Sequence, residues 1–232
     1  MNKSLLSASL FALALAAPLA LAHEAGDILI RAGAITVNPK ADSSSVKVDQ
    51  GPLSGTNLGG KATMSSDTQL GLNFAYMLTD HVGLELLAAT PFEHDVKLKG
   101  TALPAANGKL GTLKHLPPTL SVVYYPLDSK SPFQPYVGGG INYTWIYDEH
   151  VGSEASANGF SNFKAKNSWG LAWQVGADYM LTDNIMLNAQ VRYIDIDTRA
   201  TVENNAVAPG TRARVNVDVD PFIYMVGLGY KF

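Results

Sequence analysis

The last eleven residues, Phe222-Ile223-Tyr224-Met225-Val226-Gly227-Leu228-Gly229-Tyr230-Lys231-Phe232, decide the fold. Phe222, Tyr224, Val226, Leu228, Tyr230 and Phe232 fall on one side of a period-two pattern, and Ile223, Met225, Gly227, Gly229 and Lys231 on the other. Successive side chains of a β-strand point to opposite faces, so one wall is bulky and apolar while its partner is mostly small. The stretch before it obeys the same rule, with Ile185, Leu187, Ala189, Val191 and Tyr193 opposing Met186, Asn188, Gln190 and Arg192. Earlier, Trp169, Leu171, Trp173, Val175 and Tyr179 oppose Gly170, Gln174, Gly176 and Asp178. Residues 70–78 and 82–88 repeat the alternation around Gly71, Asn73, Gly83 and Glu85. Further strands fit residues 28–37, 120–125 and 136–147, which makes eight.

Eight alternating strands have two architectures with opposite contents. A soluble barrel places its bulky apolar face inside. A transmembrane barrel turns aromatics to lipid and keeps small or polar residues within. Here the polar face carries Arg31, Asn73, Glu85, Gln174, Asp178 and Arg192 among many glycines, and all three tryptophans stand on the other face. Only small residues and mutually paired charges fit so narrow a lumen, and rings of Trp and Tyr suit a lipid interface. The expected fold is all-β, an eight-stranded antiparallel transmembrane β-barrel of the outer membrane. Three short connections (78–81, 126–134 and 181–184) read as periplasmic turns, and four long polar ones (38–67, 100–114, 150–165 and 198–212) as extracellular loops. The phrase Tyr76-Met77-Leu78-Thr79-Asp80 returns as Tyr179-Met180-Leu181-Thr182-Asp183, two equivalent turns. The closing Tyr230 and Phe232 match the aromatic ending by which barrel-assembly machinery recognises its clients.

The beginning of the chain is an address. Lys3, the apolar run 5–17 and Ala20-Leu21-Ala22 have the three regions of a secretory signal peptide, with cleavage expected before His23. Residues 1–22 are then removed and 23–232 form the barrel, 210 residues with a net charge of about −4. No later stretch approaches 18 uninterrupted apolar residues, so no spanning helix is expected. The chain has no cysteine, which excludes disulfides, thiolate chemistry and Cys-ligated metals. Its 17 basic and 20 acidic residues give no electrostatic footprint for nucleic acid.

Above the length that lipid requires, about 9–11 residues per strand, the polarity inverts. Ile194 and Val219 continue the inward phase while Asp195, Asp197, Asp218 and Asp220 turn outward; Ile35 and Ile146 share that inward phase at comparable height. A dry upper cavity is expected over a lower lumen plugged by Arg31, Glu85, Asp178 and Arg192. Proline adds a seam. Pro91 lies in the third strand and Pro117-Pro118 opens the fourth. Setting Val82 against Pro126 brings Pro91 opposite Pro117 to within about two residues. Neither ring has an N–H to donate, so both sides of one ladder lose hydrogen bonds at one height. Val96 and Leu98 fall out of phase after Pro91, as a bulge would produce.

Asp67-Thr68-Gln69-Leu70-Gly71-Leu72, Ala88-Ala89-Thr90-Pro91-Phe92 and Leu116-Pro117-Pro118-Thr119-Leu120 occur in this order, followed by Asp195-Ile196-Asp197-Thr198, Val217-Asp218-Val219-Asp220-Pro221 and Gly229-Tyr230-Lys231-Phe232. In these segments the chain resembles the outer membrane protein W (OmpW) family, its pseudomonad branch above all. The resemblance implies a Gram-negative outer-membrane barrel with a hydrophobic channel for small apolar solutes, and lateral release at the proline that corresponds to Pro91. Small hydrophobic compounds and small neutral amino acids both stay open as solutes.

Three functions compete. A diffusion channel needs no cofactor, metal or catalytic residue; its apolar lining is expected to include Ile35, Leu87, Ala89, Pro91, Ile146, Ile194 and Val219, with Pro91 and Pro117 as lateral gate. A lipid-modifying enzyme needs a nucleophile beside a base; His94, between Glu93 and Asp95, is the best base, and a solvated charged rim explains it better. A structural or adhesive barrel needs no apolar interior. Lipid, lipopolysaccharide and the assembly machinery are the expected partners in each case.

Overall fold

The computed structural model describes residues 22–232. The leader read over residues 1–22 lies outside them, apart from Ala22. Among the described residues sixteen strands follow one another: β1 (Ile28–Asn38), β2 (Asp42–Ser43), β3 (Val46–Gln50), β4 (Asn57–Met64), β5 (Asp67–Met77), β6 (Val82–Ala89), β7 (Phe92–Thr101), β8 (Gly108–Leu116), β9 (Thr119–Tyr124), β10 (Phe133–Val151), β11 (Phe160–Ala165), β12 (Ser168–Met180), β13 (Ile185–Ile194), β14 (Asp197–Asn204), β15 (Arg212–Asp218) and β16 (Phe222–Lys231). One short helix, α1 (Ser153–Ala157), joins β10 to β11.

Eight of these strands close on themselves in the order β1-β5-β6-β9-β10-β12-β13-β16, every neighbour antiparallel. The alternation of the final strand is kept: Met225 is 1% exposed and Val226 64%. The outward rings form two girdles. Tyr143 stacks near Trp169 (4.6 Å), Trp145 near Tyr147 (5.0 Å) and Tyr193 near Phe222 (5.6 Å) at the upper level. Tyr76, Tyr124, Phe133, Tyr230 and Phe232 are exposed at the lower one. Two aromatic belts flanking an apolar band are the surface of a lipid-spanning barrel.

The repeated phrase folds twice into the same turn. The N–H groups of Leu78 and Thr79 donate to Val82 O, and those of Leu181 and Thr182 to Ile185 O. The hydroxyls of Thr79 and Thr182 accept from the backbone N–H of Val82 and Ile185 at 3.0 Å each, the hydroxyl turn that threonine supports.

The segments expected as long loops are mostly folded, a correction to the sequence reading. Residues 38–67 contain β2 to β4, residues 100–114 most of β8, and residues 198–212 most of β14. Together they continue the barrel upward as a second sheet, β11-β14-β15-β3-β4-β7-β8 joined to the outer half of β10. The physical reason is the inward apolar series Val46, Val48, Ala62, Leu98, Leu110, Phe163, Val202 and Val215, all buried in one cluster or beside it. Burial of that series repays the ordering of backbone that polar loops would leave free.

Candidate functional site

The lower lumen is an ion cluster. Arg31 donates from Nε and Nη2 to the two carboxylate oxygens of Asp178 (2.9 and 2.6 Å), from Nη1 to Asn73 Oδ1 (2.9 Å) and from Nη2 to the Tyr125 hydroxyl (2.8 Å). Its Nη1 also stands 3.5 Å from Glu85 Oε2. Arg192 donates to Glu85 Oε1 at 2.6 Å and to Gln174, which in turn donates to the same Glu85 oxygen at 2.8 Å. All four expected plug charges are thus buried together, two of each sign. Pairing is what makes this tenable, because a lone ion in such a place is costly. Sequence reasoning missed three further members. His23 Nε2 lies 3.0 Å from Asp178 Oδ2, Tyr125 continues the inward phase of β9, and Tyr136 accepts from Asn188 Nδ2 at 3.0 Å. The Tyr136 ring crosses over Gly176, where a Cβ would sit 2.5 Å from it.

Above this cluster the inside is mostly apolar, with Thr119, Asn142, Thr144, Ser168, His94 and His115 as buried polar members. Ile35, Leu87, Ile146, Ile194 and Val219 are buried in one cluster with Phe92, Phe163 and Val215, and Ala89 packs against it half-buried. The expected cavity is corrected by this packing: the upper interior is dry but filled. A void of about 20 Å3 lies among Val46, Leu98, Leu110 and Phe163. At the outer tip a cup of about 190 Å3 is lined by Val48, Leu53, Leu58, Leu103, Phe160 and Val207.

Between the two regions one ladder is interrupted. β6 and β9 pair up to Leu87 opposite Thr119, and β7 and β8 resume at Phe92 opposite His115. Pro91, Pro117 and Pro118 stand in the gap and supply no N–H to it. The carbonyls there are served from elsewhere: Thr119 Oγ1 donates to Pro117 O at 3.0 Å, and Asn142 Nδ2 and the Tyr143 N–H to Pro118 O at 3.1 Å each. On the facing side the Thr90 N–H donates away from the gap, to Leu70 O at 2.9 Å.

Pro91 itself is not in the lining. Glu85 and Leu87 point inward on odd numbers, whereas Phe92, His94, Val96 and Leu98 do so on even ones. The chain changes phase by leaving Thr90 and Pro91 both outward and exposed, a bulge in effect. Pro117 is buried on the inner face. The same phase change corrects His94, which the sequence placed on a solvated rim: it is 0% exposed. His94 Nδ1 lies 2.5 Å from Ser65 O, and its Nε2 2.8 Å from Nε2 of His115. Phe92 stacks on His115 with ring centroids 5.3 Å apart. These groups sit in the extension above the lipid-spanning strands. Burial holds both imidazoles below their usual range, His115 at about 3, with His94 adding to the effect.

The sequence profile of the OmpW family matches residues 24–232. The crystal structure of the outer membrane protein OprG from Pseudomonas aeruginosa is similar with a TM-score of 0.85 and 48% identity, over 92% of this chain and 99% of that one. Outer membrane protein W of Vibrio cholerae is 43% identical over 211 residues, 91% of each chain. Outer membrane protein AlkL of Ectopseudomonas oleovorans is 30% identical over 186 residues, 78% of this chain and 75% of AlkL. On these matches, which take in nearly the whole of the described barrel, this chain belongs to the OmpW family of Gram-negative outer-membrane β-barrels, seated in lipid and lipopolysaccharide.

Proposed function

We propose that the chain is a passive channel for small apolar or neutral solutes, without cofactor or catalytic chemistry, that delivers them sideways into the membrane. A solute is taken up in the cup between Leu53, Leu103 and Val207 and moves down by displacing the aliphatic side chains below it. It cannot continue to the periplasm, because the ion cluster closes the lumen. Glu85, the uppermost carboxylate of that cluster, pairs with Ser121, two residues below the last rung before the gap. The observation that carries the reading is this coincidence of height: the polar floor and the missing rungs meet at one level. Backbone that lacks hydrogen bonds is expensive in hydrocarbon, and the carbonyls of Pro117 and Pro118 are already satisfied without their partners across the seam.

The test is uptake of apolar solutes into vesicles containing the protein. Pro91→Ala gives back an N–H and a chance of closing the ladder, and flux is expected to fall severalfold while the barrel stays folded. Unchanged flux removes the lateral exit. A structural or adhesive barrel without transport is the second reading, favoured by the filled upper interior; it predicts no uptake above empty vesicles for any solute. Tyr230 and Phe232 are proposed as the handle for the assembly machinery.

A further inference from the structure

Two histidines sit inside the barrel at the upper lip of the seam, and their hydrogen bonds fix where the protons are. Ser65 O can only accept, so His94 Nδ1 carries a proton and donates to it. A neutral His94 then has a bare Nε2. Since that nitrogen is 2.8 Å from His115 Nε2, the latter carries the proton of the bond between them. A neutral His115 protonated on Nε2 has a bare Nδ1, and no protein atom partners this buried nitrogen. The chain of bonds runs in one direction and ends on an unused acceptor.

That acceptor stands where a solute would have to pass. His115 is opposite Phe92 on one side and Ile146 on the other, and two residues above Pro117. Phe92 and the His94 ring are stacked against it, and the apolar cluster lies beyond them. A solute that is apolar except for one hydroxyl or N–H loses its hydrogen bond to water on coming in, and elsewhere in the cluster nothing replaces it.

We propose that His115 Nδ1 is the recognition point of the apolar interior, accepting a hydrogen bond from the single hydroxyl or N–H of an otherwise apolar neutral solute at the seam. His94 is a positioning residue: anchored on Ser65 O, it holds the tautomer that keeps Nδ1 bare. The buried pair stays uncharged at neutral pH, so the lone pair is available. The inference deepens the channel reading and rests on it.

The experiment uses the folded chain in lipid nanodiscs with its histidines labelled by 15N and its isoleucine methyl groups by 13C, observed at pH 7 while phenol or anisole is added. The two probes differ in a hydroxyl against a methyl ether. Before addition, His94 is expected as the Nδ1–H tautomer and His115 as the Nε2–H tautomer; the opposite tautomer of His115 overturns the proposal with no variant needed. Phenol should shift the His115 Nδ1 resonance and anisole should not, while both perturb Ile146 and Ile194. In His115→Phe the preference for phenol over anisole should drop about fivefold, the worth of one hydrogen bond, and His115→Asn, which keeps an acceptor near the same place, should recover part of it. If both probes perturb the isoleucines and Nδ1 responds equally to each or to neither, the recognition point is lost and the channel survives. If neither probe reaches the isoleucines at any concentration, the channel reading fails with it.

Discussion

The lower and upper halves of this barrel use one backbone pattern with opposite chemistry. Below the upper girdle, Val226 and Leu228 face out and Arg31, Glu85, Asp178 and Arg192 face in. Above it, Lys97 and Lys99 face out while Val96 and Leu98 face in. The alternation says only that two faces differ. What lies outside, hydrocarbon or water, decides which of them is greasy. The change of solvent falls at Trp145 and Trp169, and the broken ladder lies at about the same height.

This contrast can be broken in three places. The largest effect is expected from Arg31→Met, which leaves Asp178 without its bidentate partner: loss of about 3–5 kcal/mol in urea titrations of the refolded barrel. Removing Asp178 as well, as Arg31→Met with Asp178→Leu, should restore more than half of that; a single variant costing under about 1 kcal/mol would mean that the ions are not a coupled buried unit. Next comes the outer face. Val226→Arg, between the two girdles, should cost about 2–4 kcal/mol. Ser161→Arg, exposed on the upper sheet opposite Glu203, should change stability by less than about 0.5 kcal/mol. Equal costs would show that lipid does not end at the upper girdle.

The smallest effect is a pH dependence of the upper half. His115 titrates in the folded protein near 3 and when unfolded near 6.5. Between those values the unfolded chain binds the extra proton, so stability is full above about pH 6.5 and declines as the pH falls toward 3. About 2 kcal/mol should be lost at pH 5 relative to pH 8, read from protection of the β7 and β8 amides against hydrogen exchange. His115→Phe should flatten that profile; an unchanged profile would place the titration elsewhere.

The lower half was legible because lipid imposes large residues on one face and the narrow lumen small or polar ones on the other. Arg31, Glu85, Asp178 and Arg192 stood out for that reason. Tyr125 and Tyr136 did not, since a tyrosine near a strand end reads equally well as a girdle ring, and His23 precedes any alternating run. The upper strands were hidden by their irregularities. Register shifts occur at Val46/Lys47, Val96/Lys97, Tyr147/His150, Ser161/Lys164 and Arg212/Ala213. At each one the two paired strands slip out of step, so an alternation that runs on in one strand is not matched in its partner. Gly59, Gly60 and Gly100 take positive φ, and the exposed residues beside them, Asn57, Lys61 and Lys99, are those of ordinary loops. The slip after Pro91 is readable from Val96 and Leu98, and His94 obeys the same shift, although its flanking Glu93 and Asp95 have the look of a solvated rim.

One strand belongs to both halves. β10 holds β9 through Asn142 opposite Thr119 and β8 through Trp145 opposite Leu116, with Tyr143 bonded to Pro118 between them. The proline pair is therefore fastened along its outer edge like a door frame to a post. Thr90 and Pro91 have a slighter post; beside them β5 ends its pairing with β6 at Gly71 opposite Ala89, and beyond that Thr90 is held by Leu70 and, through its hydroxyl, by Gln69, with the Glu93 N–H bonded to the Asp67 side chain. Should the seam part, it is the Thr90–Pro91 leaf that swings, and the jamb at Pro117 stays where it is.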